Sequence, residues 1–275
     1  MPKQTLKYQI EPPKPEDFIL IPSLNMYIAK NKARRSDSEK ILQKIEEYYK
    51  RTHIKIPPHL TDDLRDYYKD AFLVSDISWF DAKLLVQSLN TGSDSITYLF
   101  PSSSEWDKTI KYLHQNYPEV EKEFLRELQW VDSLLAFPDK KGKYDPRLQI
   151  SGIKKGKVPL LIDHPKVEKL GKSYIIKEGE LTRVTEVPEF PVKIDHAKWS
   201  YVQAWNEDLG LPTKVGEKPS KEFEEGYAWI SESGLRAILR GRNRFDILIE
   251  WDPSYDLEYL PGSGYFHLAY IPKRQ

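Results

Sequence analysis

The six histidines are the residues of this chain best suited to acid–base or metal chemistry, but none is paired at the helical spacing of metal-binding motifs. They are His53, His59, His114, His164, His196 and His267. His53 and His59 flank IKIPP, an extended segment that would hold them apart, so a lone surface or core histidine is the better interpretation there. The chain has no cysteine, which excludes thiolate nucleophiles, disulfides, zinc–thiolate sites and iron–sulfur clusters.

Other motifs of catalysis are also missing from the sequence. It contains no Walker loop, no GxGxxG and no GxSxG, and Arg240-Gly241-Arg242 is too short to cradle a phosphate by itself. The basic residues of 140–157 are better explained as a solvated loop, because acidic residues balance them elsewhere. We predict no catalytic residue, no cofactor and no metal ligand, while a calcium site built from loop oxygens stays open.

Glu105 is the acidic residue whose position is most informative. It is expected in the first turn of a helix, where the helix dipole favours a carboxylate. We prefer this structural role to a catalytic one because acidic residues are common in first turns.

Composition limits the class of protein and of partner. The 275 residues are 39% hydrophobic and 12% aromatic, which is typical of a folded chain of one or two domains. The 42 basic and 42 acidic residues cancel, so we expect no nucleic-acid partner. The N-terminus lacks an apolar signal region and no run approaches a membrane span. A cytoplasmic or virion-associated protein without membrane insertion is expected.

Capping signals and apolar stripes predict the helices. Ser78 and Ser102 stand at helix starts, and Trp106 shares an apolar helix face with Ile110 and Leu113. Helices are predicted over residues 36–51, 61–69, 78–89, 102–117, 118–130 and 199–209.

The remaining segments are expected as strands or loops. The proline-rich residues 1–24 should lie extended on the surface. Residues 96–100, 158–162, 174–177, 236–241 and 265–271 are predicted strands, the last of them half-buried, and 211–225 is a predicted polar loop. Between the last two strands, residues 242–264 show no amphipathic order, and such a segment is a candidate binding surface. The alternative is an irregular loop packed on a sheet.

Five short blocks, in order along the chain, resemble the formylglycine-generating-enzyme type of the C-type lectin fold. ISWFDA (77–82) is similar to its VSWxDA helix start, and YLFPSSSEW (98–106) to its YRLPTEAEW corner. YAWIS (227–231) resembles VWEWT, LRAILRGRNRF (235–245) resembles RVLRGGSW, and GYFHLA (264–269) resembles GFRLA. The resemblance implies an α+β C-type lectin fold (formylglycine-generating-enzyme-like). We expect an N-terminal extension (1–60) and a lectin-like domain (61–275) with a long insertion (107–226) and a variable region (236–270).

The chain departs from the enzymes of that family. They work through cysteine and copper, or through a histidine-rich iron site, and neither set of ligands is present here. Arg242 also replaces the second glycine of RGG, and Phe245 stands one place later than the family's aromatic residue. A non-catalytic branch of the fold fits better, namely the variable proteins of diversity-generating retroelements.

In that branch, adenine-directed mutagenesis changes a C-terminal surface while the fold stays the same. Substitution at adenines of an Asn codon cannot yield Trp, Glu, Lys, Gln or Met, so Glu250, Trp251 and Glu258 would belong to the fixed framework. Trp79, Trp106 and Trp229 would anchor it further. The resemblance assigns ligand-binding display positions to Arg242, Arg244, Asp246, Leu248, Asp252, Ser254, Tyr255, Asp256 and Tyr259.

Three functions follow as alternatives. The first is a non-enzymatic display protein whose unknown ligand is a protein or a cell-surface macromolecule. The second is an enzyme or pseudo-enzyme of the same fold, which requires a deep pocket with polar groups of perturbed pKa. The third is a structural virion component, in which sequence variation would be spread evenly along the chain.

Overall fold

Eleven strands and three α-helices make up the part of the chain that the structure describes. The computed structural model describes residues 10, 12–33, 78–91, 95–126, 129–153, 155–171, 173–185, 201–206, 208–216, 234–241, 243–248 and 266–273. The helices are α1 (Trp79–Leu89), α2 (Ser103–Asn116) and α3 (Pro118–Arg126). The strands are β1 (Phe18–Ile21), β2 (Met26–Lys32), β3 (Ile96–Leu99), β4 (Gln129–Phe137), β5 (Leu160–Leu170), β6 (Ser173–Arg183), β7 (Tyr201–Asn206), β8 (Leu211–Gly216), β9 (Gly234–Gly241), β10 (Asn243–Leu248) and β11 (His267–Pro272). The fold class is mixed α+β, as predicted.

One sheet joins the two ends of the described chain. Its order is β1-β2-β11-β3, and all neighbours are antiparallel. The predicted C-terminal strand is confirmed, but its half-buried character is wrong for Phe266–Ala269, where both faces are buried. The reason is that β11 lies inside the sheet, between β2 and β3, and carries core side chains on each side.

The expected surface position of residues 1–24 is wrong for β1. Ile19 and Ile21 are buried, and β1 pairs with β2 in the same sheet as β11. The apolar residues FILI form a strand there because the neighbouring strand completes their hydrogen bonds. The helices predicted over 36–51 and 61–69 lie outside the described residues. The domain boundaries stay a prediction.

Helices α1 and α2 are confirmed, with the predicted caps. The Ser78 side chain accepts a hydrogen bond from the Asp81 N–H, and Ser102 forms a capping box with Glu105. Trp106 is buried, as predicted. Helix α3 ends at Arg126 rather than at 130, because the next apolar residues form β4 and are buried on both faces.

The capping box gives a direct test of how α2 begins. Replacing Ser102 with alanine is expected to reduce the free energy of unfolding by about 1 kcal/mol, since an N–H of the first turn loses its acceptor. Ser102→Gly is the matched control, because glycine at an N-cap reduces stability by only a few tenths of a kcal/mol, roughly. Urea unfolding of the three proteins gives the comparison. Equal losses for alanine and glycine would contradict the capping role.

The second sheet has the order β10-β9-β4-β5-β6, again with antiparallel neighbours. Every residue of its middle strand β4 is buried. The strands predicted at 158–162 and 174–177 are present but longer, and the one predicted at 236–241 is confirmed as β9. Three strands of this sheet fall within residues 107–226, so that segment supplies part of the core rather than a separate layer.

Two predictions near residue 210 are wrong. The helix expected over 199–209 is strand β7, and the loop expected over 211–225 begins with strand β8. A two-stranded antiparallel hairpin forms because Gly210, at φ 61°, supplies the left-handed turn residue between them.

The core contains the predicted tryptophan anchors that the structure describes. Trp79 and Trp106 are buried, and the Trp79 ring N–H donates a hydrogen bond of 2.8 Å to the Val131 carbonyl on β4. Trp229 and Trp251 lie outside the described residues. Within the described chain, none of the helices combines the length and apolarity needed to cross a membrane.

Candidate functional site

The predicted display positions begin at the outer edge of the second sheet. Arg244, Asp246 and Leu248 lie in β10, the end strand of that sheet, where only their backbone is described. β10 pairs with β9 through an irregular register between Asn243 and Ile247. Residues 242–264 show no clear amphipathic order in the sequence, but the alternation of Phe245, Ile247 and Ile249 with Asp246, Leu248 and Glu250 predicts a strand, and β10 forms over the first part of it. Six display positions lie outside the described residues: Arg242, Asp252, Ser254, Tyr255, Asp256 and Tyr259. The display surface therefore stays a prediction.

Arg240 fixes the end of β9, directly before that segment. Its side chain is buried, and Nη2 donates to Asp107 Oδ1 at 2.7 Å. Nη1 donates to Ser103 Oγ at 3.1 Å and to the Gly210 carbonyl at 3.3 Å. Burial lowers the pKa of Arg240, while the Asp107 carboxylate opposes that shift. Arg240 thus ties β9 to the first turn of α2 and to the β7–β8 hairpin.

Gly210 makes this junction possible by its lack of a side chain. A Cβ atom on Gly210 would lie only 2.2 Å from the Ser103 carbonyl carbon, so any other residue would collide with the backbone of α2. The close approach places the Gly210 carbonyl within reach of two donors, the Ser103 hydroxyl at 2.5 Å and the Arg240 guanidinium.

Beside this junction lies a cluster of charged groups, here named the charge cluster. Lys83 and Asp132 in it are buried, and Glu105, Asp163 and His164 are half-buried. Lys83 Nζ contacts Asp132 Oδ2 at 2.5 Å, and the two side chains are 7% and 0% exposed. His164 Nδ1 lies 3.1 Å from the same oxygen of Asp132, and His164 Nε2 lies 3.0 Å from Glu105 Oε2. The cluster therefore joins α1, α2, β4 and β5.

The pKa shifts in the cluster reflect competition between burial and charge. Burial lowers the pKa of His164, but the Glu105 charge and the hydrogen bonds to Asp132 and Glu105 outweigh it and hold the pKa well above its usual value. Burial raises the pKa of Glu105, and the charge and hydrogen bonds of His164 and Ser102 reverse this to a net decrease. For Asp163, burial raises the pKa to about 6 although Ser133 and His164 act in the opposite direction.

Two serines connect the charge cluster to Arg240. The Ser133 hydroxyl donates to Asp163 Oδ1 and accepts from the Ser103 N–H at 2.8 Å. The Ser103 hydroxyl in turn accepts from Arg240 Nη1. A continuous line of hydrogen bonds therefore runs from Asp163 on β5, through β4 and α2, to β9.

The geometry leaves little freedom for catalysis in this cluster. A protonated His164 donates both ring N–H groups to carboxylates, so it has no lone pair with which to act as a base. Lys83 is committed to Asp132, and the Ser133 hydroxyl to Asp163. Among the described residues, no three histidine, aspartate or glutamate side chains are placed to hold a metal ion.

No motif or spacing in the sequence joins the members of the charge cluster. The lone-histidine interpretation of His53 and His59 concerns residues outside the described part of the chain. His164 contacts two carboxylates from a backbone φ of 47°. His267 is a core residue stacked on Phe124, and burial lowers its pKa to about 3. A usable signal was the pair Asp132-Ser133 inside the otherwise apolar strand QWVDSLLAF. Polar residues in a buried strand need partners.

Comparison with models of protein families, with curated proteins and with solved structures found no match to this chain.

Proposed function

We propose that the chain is a non-enzymatic ligand-binding display protein of the C-type lectin fold, in the formylglycine-generating-enzyme-like form. Its C-terminal surface would be diversified by a retroelement and would bind a protein or a cell-surface macromolecule. The observation that carries the proposal is the way in which the predicted display segment is held. Hydrogen bonds of Arg240 hold strand β9, which precedes the display segment. Strand β11, whose first residues are buried, follows the segment.

The described topology supports the proposed fold. The first and last described strands belong to one sheet, in which β2 and β11 pair antiparallel. Ser78 and Ser102 cap helices α1 and α2, and the two serines lie within the blocks ISWFDA and YLFPSSSEW that carry the resemblance.

A display protein requires that folding and binding use different residues. Truncating one buried apolar side chain reduces stability by about 2–5 kcal/mol, whereas exposed substitutions change it by roughly 0.5 kcal/mol or less. The described framework supplies buried residues for folding, because its aromatic and charged anchors are buried on α1, α2, β4, β9 and β11. The nine display positions are proposed to be exposed, so that substitutions there change binding with little effect on stability.

The charge cluster weighs against the enzyme alternative, although its pKa shifts resemble those of an active site. Each cationic group in it is held by a carboxylate, which is the arrangement of a structural ion network. A virion component without a diversified surface is distinguished by genetics rather than by this geometry.

Sequencing the neighbourhood of the gene tests the proposal. We expect a reverse transcriptase gene and a near-repeat of the 3′ end of this gene, differing from it at adenines. Substitutions among natural copies should concentrate in the codons of residues 242–259. Variation spread evenly along the chain, with no reverse transcriptase nearby, would favour the structural alternative and overturn the proposal.

A further inference from the structure

We propose that Asp163 is a proton-uptake site whose state of charge is transmitted through Ser133 and Ser103 to Arg240. Within the described chain, Asp163 would thereby act as an acid-sensitive control of the strand end that precedes the display segment. Its consequence for ligand binding rests on the proposed function, but the transmission itself does not.

Among the described residues, the Asp163 carboxylate accepts a hydrogen bond from the Ser133 hydroxyl. That hydroxyl oxygen also accepts the Ser103 N–H at 2.8 Å. An ionised Asp163 only accepts, so the Ser133 hydroxyl proton must point towards it. A protonated Asp163 can donate to the Ser133 oxygen instead. That oxygen then accepts from both Asp163 and the Ser103 N–H, and the Ser133 hydroxyl proton must turn away from Asp163.

The next contacts carry the change to β9. Ser103 is the first residue of α2, and its hydroxyl accepts from Arg240 Nη1 at 3.1 Å while donating to the Gly210 carbonyl. Both Ser103 and Ser133 are fully buried, so water does not compete for these bonds at the protein surface. A change in the hydrogen bond that the Ser103 N–H donates therefore alters the contacts that anchor Arg240.

The charged groups around Asp163 help to set the pH at which its carboxylate takes up a proton. His164 follows it on β5, Glu105 faces it from α2 and Asp132 from β4, and Lys83 on α1 contacts Asp132. On β6, the exposed Glu180 is its register partner. Burial is the main cause that brings the pKa of Asp163 to about 6, against the usual 3.8. Uptake would therefore fall in mildly acidic solution.

The sign of the effect on stability follows from that shift. Because the pKa of Asp163 is higher in the folded protein, the folded state binds the proton more tightly. Stability from this group is fully present below about pH 4 and is lost as the pH rises through about 6. Relative to an Asp163→Asn variant, the wild-type Tm should fall by roughly 3 °C between pH 5 and pH 8.

Nuclear magnetic resonance titration tests the transmission without any ligand. In the wild type, the Asp163 carboxyl carbon, the Ser103 amide and the Arg240 guanidinium N–H should shift with one common midpoint near pH 6. In Asp163→Asn, the Ser103 and Arg240 shifts should disappear. In Ser133→Ala, Asp163 should still titrate while Ser103 and Arg240 no longer follow it. Glu180→Gln, the matched control, should titrate like the wild type.

Two results would overturn the inference. Ser103 and Arg240 signals that stay flat in the wild type through the titration of Asp163 would exclude transmission. Signals that titrate equally in Asp163→Asn would assign the proton to another group. Either result leaves the proposed display function standing, whereas a gene neighbourhood without a retroelement would remove that function and leave the transmission intact.

Discussion

Replacing Asp132 with alanine is expected to lower the free energy of unfolding by about 3–5 kcal/mol, because the change leaves the buried Lys83 and the half-buried His164 without their counter-charge. Asp132 Oδ2 holds both Lys83, at 2.5 Å, and His164, at 3.1 Å. Lys83 is buried on α1 and cannot reach bulk water without disturbing the packing of α1 against β4, whereas the His164 side chain is 23% exposed. Chemical denaturation at pH 7 measures the loss.

An exposed ion pair provides the matched control for that variant. Glu119 contacts Lys122 at 2.9 Å on α3, and both side chains are largely exposed. Glu119→Ala should change stability by roughly 0.5 kcal/mol or less. If Asp132→Ala reduced the free energy of unfolding by no more than Glu119→Ala does, the charge cluster would not be part of the framework that holds α1, α2, β4 and β5 together.

Replacing Arg240 with alanine is expected to lower the free energy of unfolding by about 3 kcal/mol or more, which is the second large effect. The change removes four described contacts at once and leaves Asp107 and the Gly210 carbonyl with fewer donors. Arg240→Lys should recover only part of the stability, because an ammonium group cannot span Asp107 and Gly210 as the guanidinium fork does. Urea unfolding measures both.

Arg244→Ala is the matched control for Arg240, since Arg244 is a proposed display position four residues later. It should change stability by roughly 0.5 kcal/mol or less. Comparable losses at Arg240 and Arg244 would contradict the separation of framework from surface. A tolerated Arg240→Ala together with a strongly destabilising Arg244→Ala would reverse the assignment of the two positions.

Local signals in the sequence were sufficient for α1 and α2. Ser78 and Ser102 stand directly before apolar stripes, and Glu105 occupies the third helical position, so each helix start is encoded within a few residues. Strand β9 likewise has its own stop signal, the Arg240-Gly241 pair. These elements were predicted because they need no information from distant parts of the chain.

The second sheet and the β7–β8 hairpin depend on partners far away in sequence. Residues 199–209 carry aromatic residues at spacings that fit a helix, but pairing with β8 decides the outcome. The helix predicted over 118–130 includes the first two residues of β4, which the structure places in a strand buried on both faces. Tertiary pairing overrode local preference in both cases.

The charge cluster could not be predicted for the same reason. Its members come from residue 83 to residue 164, on four elements, and no spacing in the sequence joins them. Only the polar pair Asp132-Ser133 within an apolar strand indicated that buried partners were needed. The line of bonds from Asp163 to Arg240 becomes visible once β4, β5, β9 and α2 are placed together.

The central claim is that this chain folds on one set of residues and varies on another. The most direct measurement compares two libraries under a folding selection such as protease resistance on a displaying cell. One library randomises the nine proposed positions, Arg242, Arg244, Asp246, Leu248, Asp252, Ser254, Tyr255, Asp256 and Tyr259. The other randomises nine buried framework positions, Trp79, Phe80, Leu85, Phe100, Trp106, Leu113, Leu134, Phe266 and Leu268. The account predicts that most members of the first library stay folded and that almost none of the second do. Loss of folding at the same frequency in both libraries would contradict it.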